Sequence, residues 1–367
     1  MSYELEFLPV GENTKSGDAI LFRFWDDAKG ETEVDQKVCL IDAGYAENGE
    51  KIKQHMDKYY HTSTIDLVIS THPDLDHIGG LTYILENMDV KKLWLHRPWR
   101  EDIINGLSDC FKDGRVTDNS IKNKLQEGLN KAYELEQLAN NKKIPIEDPF
   151  TGLSEFDGVI TVLSPSEEYY KQLLSEFRCT PEPVNEDDKN IITKTVEKIK
   201  NVISTIWGVD NLEENPETSA ENNSSVILLL AINNKKFLLT ADAGVPALHM
   251  AADNLENMGL SANCADYVQV PHHGSKHNIN TKILNRIVGK CVDKNSKANK
   301  RGIVSASKID DGKHPSKQVL NAFKQRGVNV FKTQGSKFIT HSDDIPQRPD
   351  YSTAQPFDFF DKIEIEV

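Results

Sequence analysis

Four side chains able to hold a metal ion fall within six residues: His72, Asp74, Asp76 and His77, in the string Thr71-His72-Pro73-Asp74-Leu75-Asp76-His77-Ile78-Gly79-Gly80. Imidazole and carboxylate together suit zinc, manganese or iron, and the oxygen-rich mixture sets manganese beside zinc. Residues two apart on an extended loop share a face, so His72, Asp74 and Asp76 are expected to project together while His77 points to a second ion. Two divalent ions about 3.5–4 Å apart can activate a water and stabilise a departing oxygen. Gly79-Gly80 lets the backbone turn sharply into the next helix. Any one of these residues alone would be read as an ordinary polar loop residue. The whole string, directly after an apolar run, is a metal motif.

Two further strings belong with it. Asp242 follows the apolar run Phe237 to Thr240, where its carboxylate could bridge both ions. His272 and His273 follow Val270-Pro271 and precede Gly274-Ser275, so one imidazole could bind metal while its neighbour moves protons to a leaving group. His314, in Gly312-Lys313-His314-Pro315-Ser316, stands at a helix entrance as a ligand, a proton donor or a plain N-terminal residue. Asn223, Ser224 and Ser275 are candidate substrate contacts.

These strings sit at the ends of short apolar runs, the positions strands would give them. Glu4 to Leu8, Ala19 to Phe24 and Lys37 to Ile41 read as strands stopped by turn residues, and Ile65 to Ser70 as a buried strand leading into His72. Later strands are expected at Val90 to Leu95, Gly158 to Leu163, Ser225 to Leu230, Lys236 to Thr240, Tyr267 to Val270, Gly302 to Ser305, Val328 to Phe331 and Lys337 to Thr340. Asn233-Asn234 suggests a hairpin turn. Helices fit near 50–60, 81–87, 245–258, 280–288 and 315–326. Leu40-Ile41-Asp42-Ala43-Gly44 echoes Leu239-Thr240-Ala241-Asp242-Ala243-Gly244, as two halves of a pseudo-symmetric β-sandwich would. The chain is therefore expected to be one α/β domain over 1–367, with polar, helix-rich insertions at about 100–145 and 166–220. Two acidic stretches, Glu182 to Asp188 and Glu213 to Glu221, fall in the second.

Composition narrows the function classes. The 367 residues carry a formal charge of −14, which disfavours generic binding to DNA or anionic membrane and demands a local cationic patch or bound metals for any nucleic acid. Five cysteines, without C-x-x-C spacing, argue against a disulfide framework or a cysteine zinc site and fit a reducing cytosol. The first residues lack the basic start and apolar stretch of a signal peptide, and no run approaches the roughly 20 apolar residues of a membrane helix. The expectation is a cytoplasmic protein without membrane contact.

His-x-Asp-x-Asp-His followed by Gly-Gly resembles the metallo-β-lactamase superfamily, with Asp74 standing where a histidine is commoner. Gly17-Asp18-Ala19, Ile41-Asp42 with Gly44, Asn222-Asn223-Ser224-Ser225-Val226, Thr240-Ala241-Asp242, Pro271 to Ser275 and His314-Pro315-Ser316 narrow the resemblance to the hydrolase domain of the ComEC DNA-uptake family and its free-standing relatives. Ala241 replaces a usual glycine, and the insertions are extra. The resemblance implies an αββα sandwich and a metal site on His72, Asp74, Asp76, His77, Asp242 and one of His272 and His273, with His272 preferred and His314 as rival. It implies two divalent ions, zinc or manganese, and phosphodiester cleavage of nucleic acid by a metal-bound hydroxide. Asp76 would orient the water, and His273 or His314 would protonate the leaving oxygen. A small phosphodiester, lactone or thioester is the alternative substrate. A place in a multi-protein bacterial defence system, with the helical insertion docking a protein partner, is the alternative role.

Overall fold

The computed structural model describes residues 1–26, 36–181, 200–309 and 312–366. The acidic stretch expected at Glu182 to Asp188 lies outside them. Two seven-stranded sheets form the body. In spatial order the first contains Phe338–His341, Ser2–Phe7, Ala19–Trp25, Lys37–Ala43, Leu67–Ile69, Leu93–Trp94 and Ile146–Glu147. The second contains Ser154–Glu155, Ile160–Ser164, Ile227–Ile232, Lys235–Leu239, Tyr267–Gln269, Lys300–Val304 and Val328–Lys332. Each sheet has one plan: four strands pair antiparallel, and the fourth then leads into three parallel neighbours. The Asp-Ala-Gly echo lies on this repeat. Asp42 is the last residue but one of the fourth strand of the first sheet, and Asp242 follows the fourth strand of the second. His72 and His272 lie just beyond the fifth strands, Leu67–Ile69 and Tyr267–Gln269.

Alternation along the strands sorts side chains into layers. Phe22, Ile41, Ile69 and Trp94 from one sheet meet Leu228, Leu230, Phe237 and Leu239 from the other in the inter-sheet core. On the outer face of the first sheet, Leu21, Leu40 and Val68 pack against the helices Asn48–Tyr59, Leu81–Asn87 and Asn130–Asn141. On the outer face of the second, Leu229, Leu238 and Val268 pack against Val245–Asn257, Thr281–Ile287 and Lys317–Gln325. Strands covered on both faces must be apolar on both, which is why they read as continuous runs. The architecture is the αββα sandwich. Asn233 and Asn234 both take positive φ, 48° and 61°, the geometry of a tight hairpin turn between Ile227–Ile232 and Lys235–Leu239.

The two expected insertions are not separate excursions. Ile103, Leu107, Phe111, Ile121 and Leu125 of the first pack with Tyr170, Leu173, Leu174 and Phe177 of the second in one small core. The helix Asn130–Asn141, placed by sequence at the end of the first insertion, instead covers the first sheet. The chain breaks helix at Leu129 (φ −107°, ψ 39°), which re-aims it between the two packing jobs. No helix among the described residues is long and apolar enough to cross a membrane.

The first strand departs from a half-solvated pattern. All of Ser2–Phe7 is buried, so Glu4 and Glu6 need internal partners. Glu6 accepts hydrogen bonds from Tyr60 (2.8 Å), Tyr351 (3.0 Å) and Arg348 (2.8 Å), with His55 Nε2 at 3.0 Å. Burial alone would raise the Glu6 pKa, but His55 and Arg348 overcome it and bring it from 4.5 to about 2. Because the folded value is depressed, the stabilisation is complete above the ordinary value of 4.5 and disappears as pH falls through about 2. A shift of this size corresponds to roughly 3 kcal/mol. Urea unfolding at stepped pH should show Glu6→Gln less stable than wild type at pH 7, with the gap narrowing steadily below pH 4.5. A gap that stays constant down to pH 2 would refute the linkage.

Candidate metal centre

The ends of the central strands of both sheets deliver acids and imidazoles to one place. His77 is fully buried, and its Nδ1 lies 2.7 Å from Asp42 Oδ2. A carboxylate only accepts, so Nδ1 carries the hydrogen and Nε2 is left with its lone pair. The same acid sets His72. Thr71 donates its hydroxyl to Asp42 Oδ2 at 2.6 Å and its backbone N–H to Oδ1 at 2.8 Å. His72 Nδ1, 3.0 Å from Thr71 Oγ1, must then be the donor there, which again frees Nε2. On the other sheet Asn278 plays the corresponding part. Its Nδ2 donates to the Asp242 carbonyl at 2.7 Å, which orients the amide so that Oδ1 accepts from His272 Nδ1 at 2.9 Å.

All three imidazoles thus present Nε2 toward Asp242. Its Oδ1 lies 3.4 Å from His77 Nε2 and 3.8 Å from His273 Nε2. Its Oδ2 lies 3.4 Å from His272 Nε2 and 3.8 Å from His72 Nε2. Asp76 Oδ2 closes the first set, 3.5 Å from His273 Nε2 and 3.9 Å from His77 Nε2. Asp76, His77, Asp242 and His273 each offer a ligand atom within 4.8 Å of the others. Asp42, His72 and His77 are also grouped that closely, but the Asp42 oxygens are occupied by hydrogen bonds that orient the rings.

This arrangement fits divalent cations. The Nε2 atoms of His72, His77 and His273 and the Oδ1 of Asp242 are buried without a hydrogen-bond partner. Such groups are costly unless something else binds them. Charge points the same way. Burial opposes ionisation of Asp76 and Asp242, yet surrounding histidines hold both well below the ordinary carboxylate range. Burial likewise depresses His77 and His273, but Asp242 and its neighbours raise His77 well above normal and His273 to about 9. His72 is shifted down, by burial and then by His77. The pocket attracts positive charge, as protons or as metal.

Not every predicted residue joins the cluster. The sequence reading takes residues 72–77 as an extended loop with His72, Asp74 and Asp76 on one face. Instead a helical turn, Leu75–Ile78, begins after Asp74, whose carbonyl accepts from the N–H groups of His77 and Ile78, both at 3.0 Å. That turn swings Asp76 and His77 inward. The Asp74 carboxylate lies in neither group and pairs with Arg178 at 2.5 Å. His273, expected to shuttle protons, stands among the ligand atoms, and His272 stands there too. His314 is half-buried, its ring 6.2 Å from that of His272 and nearly parallel to it. The Ser224 hydroxyl is used within its own turn, donating to the Glu221 carbonyl at 2.6 Å. Ser275 is buried and its Oγ accepts from the His277 N–H at 3.2 Å. Asn223 packs its amide oxygen against Gly244, where a Cβ would meet it at 2.5 Å.

Sequence reasoning missed the orienting residues Asp42, Thr71 and Asn278, and also Asp18 and Gln269. Asp18, buried and raised in pKa by that burial, accepts from Gln269 Nε2 at 2.8 Å. Gln269 Oε1 in turn accepts from the N–H groups of Thr240 (2.9 Å) and Ala241 (3.0 Å), tying one sheet to the Asp242 turn of the other. Ala241 sits at φ 43°, where glycine is at ease, and this clamp holds it there. Gly274 is needed outright: at φ 81°, a Cβ would stand 2.8 Å from Pro315 Cα. That contact locks the His272-His273 corner onto the His314-Pro315 segment. The Asp42 signal was present as the Asp-Ala-Gly echo.

Asp42→Asn keeps the shape but offers an amide where two donors converge. It is expected to lower metal affinity about 10–100-fold while leaving the number of ions bound at saturation unchanged. Titration of metal-free protein with manganese or zinc, read by calorimetry, checks this. Unchanged affinity would show that Asp42 does not set the rings.

Residues 33–154 match the family model described as the metallo-β-lactamase superfamily. ComE operon protein 3 of Bacillus subtilis (strain 168) is 26% identical over 129 residues, which are 35% of this chain. The match spans only 15% of that relative's length. Among solved structures, Zn(2+)-bound PqqB from Methylobacterium extorquens aligns with a TM-score of 0.40 and 12% identity, covering 92% of this chain and 99% of that one. A metallo-β-lactamase superfamily protein from the archaeon Sulfolobus tokodaii aligns at 0.27 and 15% identity, covering 77% and 84%. The His-x-Asp-x-Asp-His turn lies inside the segment, residues 33–154, that is similar to the metallo-β-lactamase superfamily, and the αββα sandwich surrounds it.

Proposed function

We propose that the chain is a metal-dependent phosphodiesterase that cleaves nucleic acid at a two-ion centre holding manganese or zinc. The observation that carries the reading is the position of Asp242 between two sets of ligand atoms. Its Oδ1 shares one set with Asp76, His77 and His273, and its Oδ2 shares the other with His72 and His272. One carboxylate facing two imidazole-lined positions is the donor arrangement a pair of divalent cations requires. Bound there, such ions would lower the pKa of water and neutralise the oxygens of a phosphoryl group.

The chain's own residues do the rest. Asp42, Thr71 and Asn278 keep the ring hydrogens of His77, His72 and His272 on Nδ1, so that Nε2 of each is free to hold metal. Asp76, partly open to the surface, is the carboxylate placed to hold an attacking water. His314, beside His272 at the margin of the cluster, is the imidazole placed to give a proton to the leaving oxygen. A cleft of about 630 Å3 opens at Asp76, lined also by Lys15, Tyr45, Asp74, Lys131 and Arg178. Its size suits one or a few nucleotides, and with the charge of −14 it favours a small phosphodiester or a strand end as the second reading.

Purified protein supplied with manganese should degrade single- or double-stranded nucleic acid. Asp76→Ala combined with His77→Ala should abolish this beyond the about 10–100-fold that loss of an outer partner costs. Release of mononucleotides from termini, with closed circles left intact, would favour the small-substrate form. A fully metal-loaded protein inert on DNA, RNA and chromogenic phosphodiesters would end the proposal.

A further inference from the structure

One wall of the cleft is supplied by the insertions. Arg178 follows the helix Glu167–Leu174 of the second insertion, and Lys131 opens the helix Asn130–Asn141. An exposed arginine is ordinarily a loose, solvated side chain. Arg178 is 65% exposed yet held at two points. The buried Glu221 carboxylate accepts the Arg178 backbone N–H at 2.7 Å and lies 3.1 Å from its Nε. Asp74 Oδ1 lies 2.5 Å from Nη2.

The Glu221 carboxylate is a buried group whose Oε1 meets Arg178 at both its backbone N–H and its Nε. It is 2% exposed and sits in the short turn Ala220–Asn223, beside Asn222, whose Nδ2 lies 3.3 Å from His272 Nδ1. The base of the arginine and the metal cluster are therefore built on neighbouring residues. Asp74, the motif acid that stays out of the cluster, fixes the guanidinium at the cleft side of that cluster. A guanidinium anchored at Nε and at Nη2 has its plane fixed, which pre-organises its remaining hydrogens for a phosphate on the cleft of a chain of net charge −14.

We propose that Arg178, mounted on Glu221 and Asp74, grips a phosphate group of the substrate beside the ion pair, with Lys131 and Lys15 on the same cleft. This rests on the phosphodiesterase reading of the centre and adds a substrate-binding residue from the insertion. The arm recognises charge, so it should distinguish a phosphodiester from a neutral ester at one active centre.

The test compares wild type, Arg178→Ala and Arg178→Lys. With manganese-loaded enzyme, Arg178→Ala should raise KM for bis(p-nitrophenyl) phosphate about tenfold or more, leave kcat within about threefold, and leave KM for neutral p-nitrophenyl acetate unchanged. Arg178→Lys should fall between, since an ammonium keeps charge but not the fork. In EDTA, inorganic phosphate should raise the thermal midpoint of wild type more than that of Arg178→Ala. Phosphate protection through Arg178 without phosphodiester cleavage would sink the reaction assignment and uphold the arm. Cleavage with an unchanged KM in Arg178→Ala, or an equal phosphate response in both proteins, overturns the arm and leaves the reaction standing.

Discussion

The structure turns on one carboxylate that touches no ion position. Asp42 accepts the Thr71 hydroxyl, the Thr71 N–H and the His77 ring hydrogen at 2.6–2.8 Å. Through Thr71 it also fixes His72. Remove it, and both imidazoles of the first sheet lose the reason to keep Nε2 bare. Its backbone lies at φ 55°, an uncommon place for a side-chain-bearing residue, one residue before the end of the strand Lys37–Ala43. Such a conformation persists only where the surroundings over-determine it. Here the inter-sheet core behind and three hydrogen bonds ahead do so.

Around this acid the two sheets repeat one solution. A fourth strand ends in Asp-Ala-Gly, and a parallel fifth strand ends in a histidine corner. The halves differ in what each acid does. Asp42 turns its oxygens to hydrogen bonds and orients, whereas Asp242 keeps Oδ1 free of them and faces the imidazoles. The near-symmetry supplies ligands from opposite sides without long loops. The inter-sheet link from Asp18 through Gln269 to the Thr240 and Ala241 N–H groups holds the halves in register.

Much of this could be read from residue order. Apolar runs bounded by turn residues located the strands, because strands covered on both faces have no polar alternation to blur them. The histidines and Asp242 declared themselves by type and by their place after those runs. Three things stayed hidden for physical reasons. The turn at Leu75 is set by backbone hydrogen bonds to the Asp74 carbonyl, which spacing alone does not reveal. Asp42 and Asn278 act on ring hydrogens rather than at the ion positions, and nothing in an aspartate or asparagine announces that. The joining of residues 103–125 with 170–177 in one small core is long-range packing, and each stretch alone reads as a polar helical excursion.

That small core divides the molecule by task. The sandwich supplies every acid and imidazole of the cluster, while residues from the appended core, Arg178 among them, line the approach to it. The hydrogen bonds of Asp42 and Asn278 that orient the cluster's rings run within the sandwich. Residues of the appended core can therefore drift in size and charge while the reactive heart keeps its shape. A lineage built on this plan can change what it admits without relearning how to break a bond.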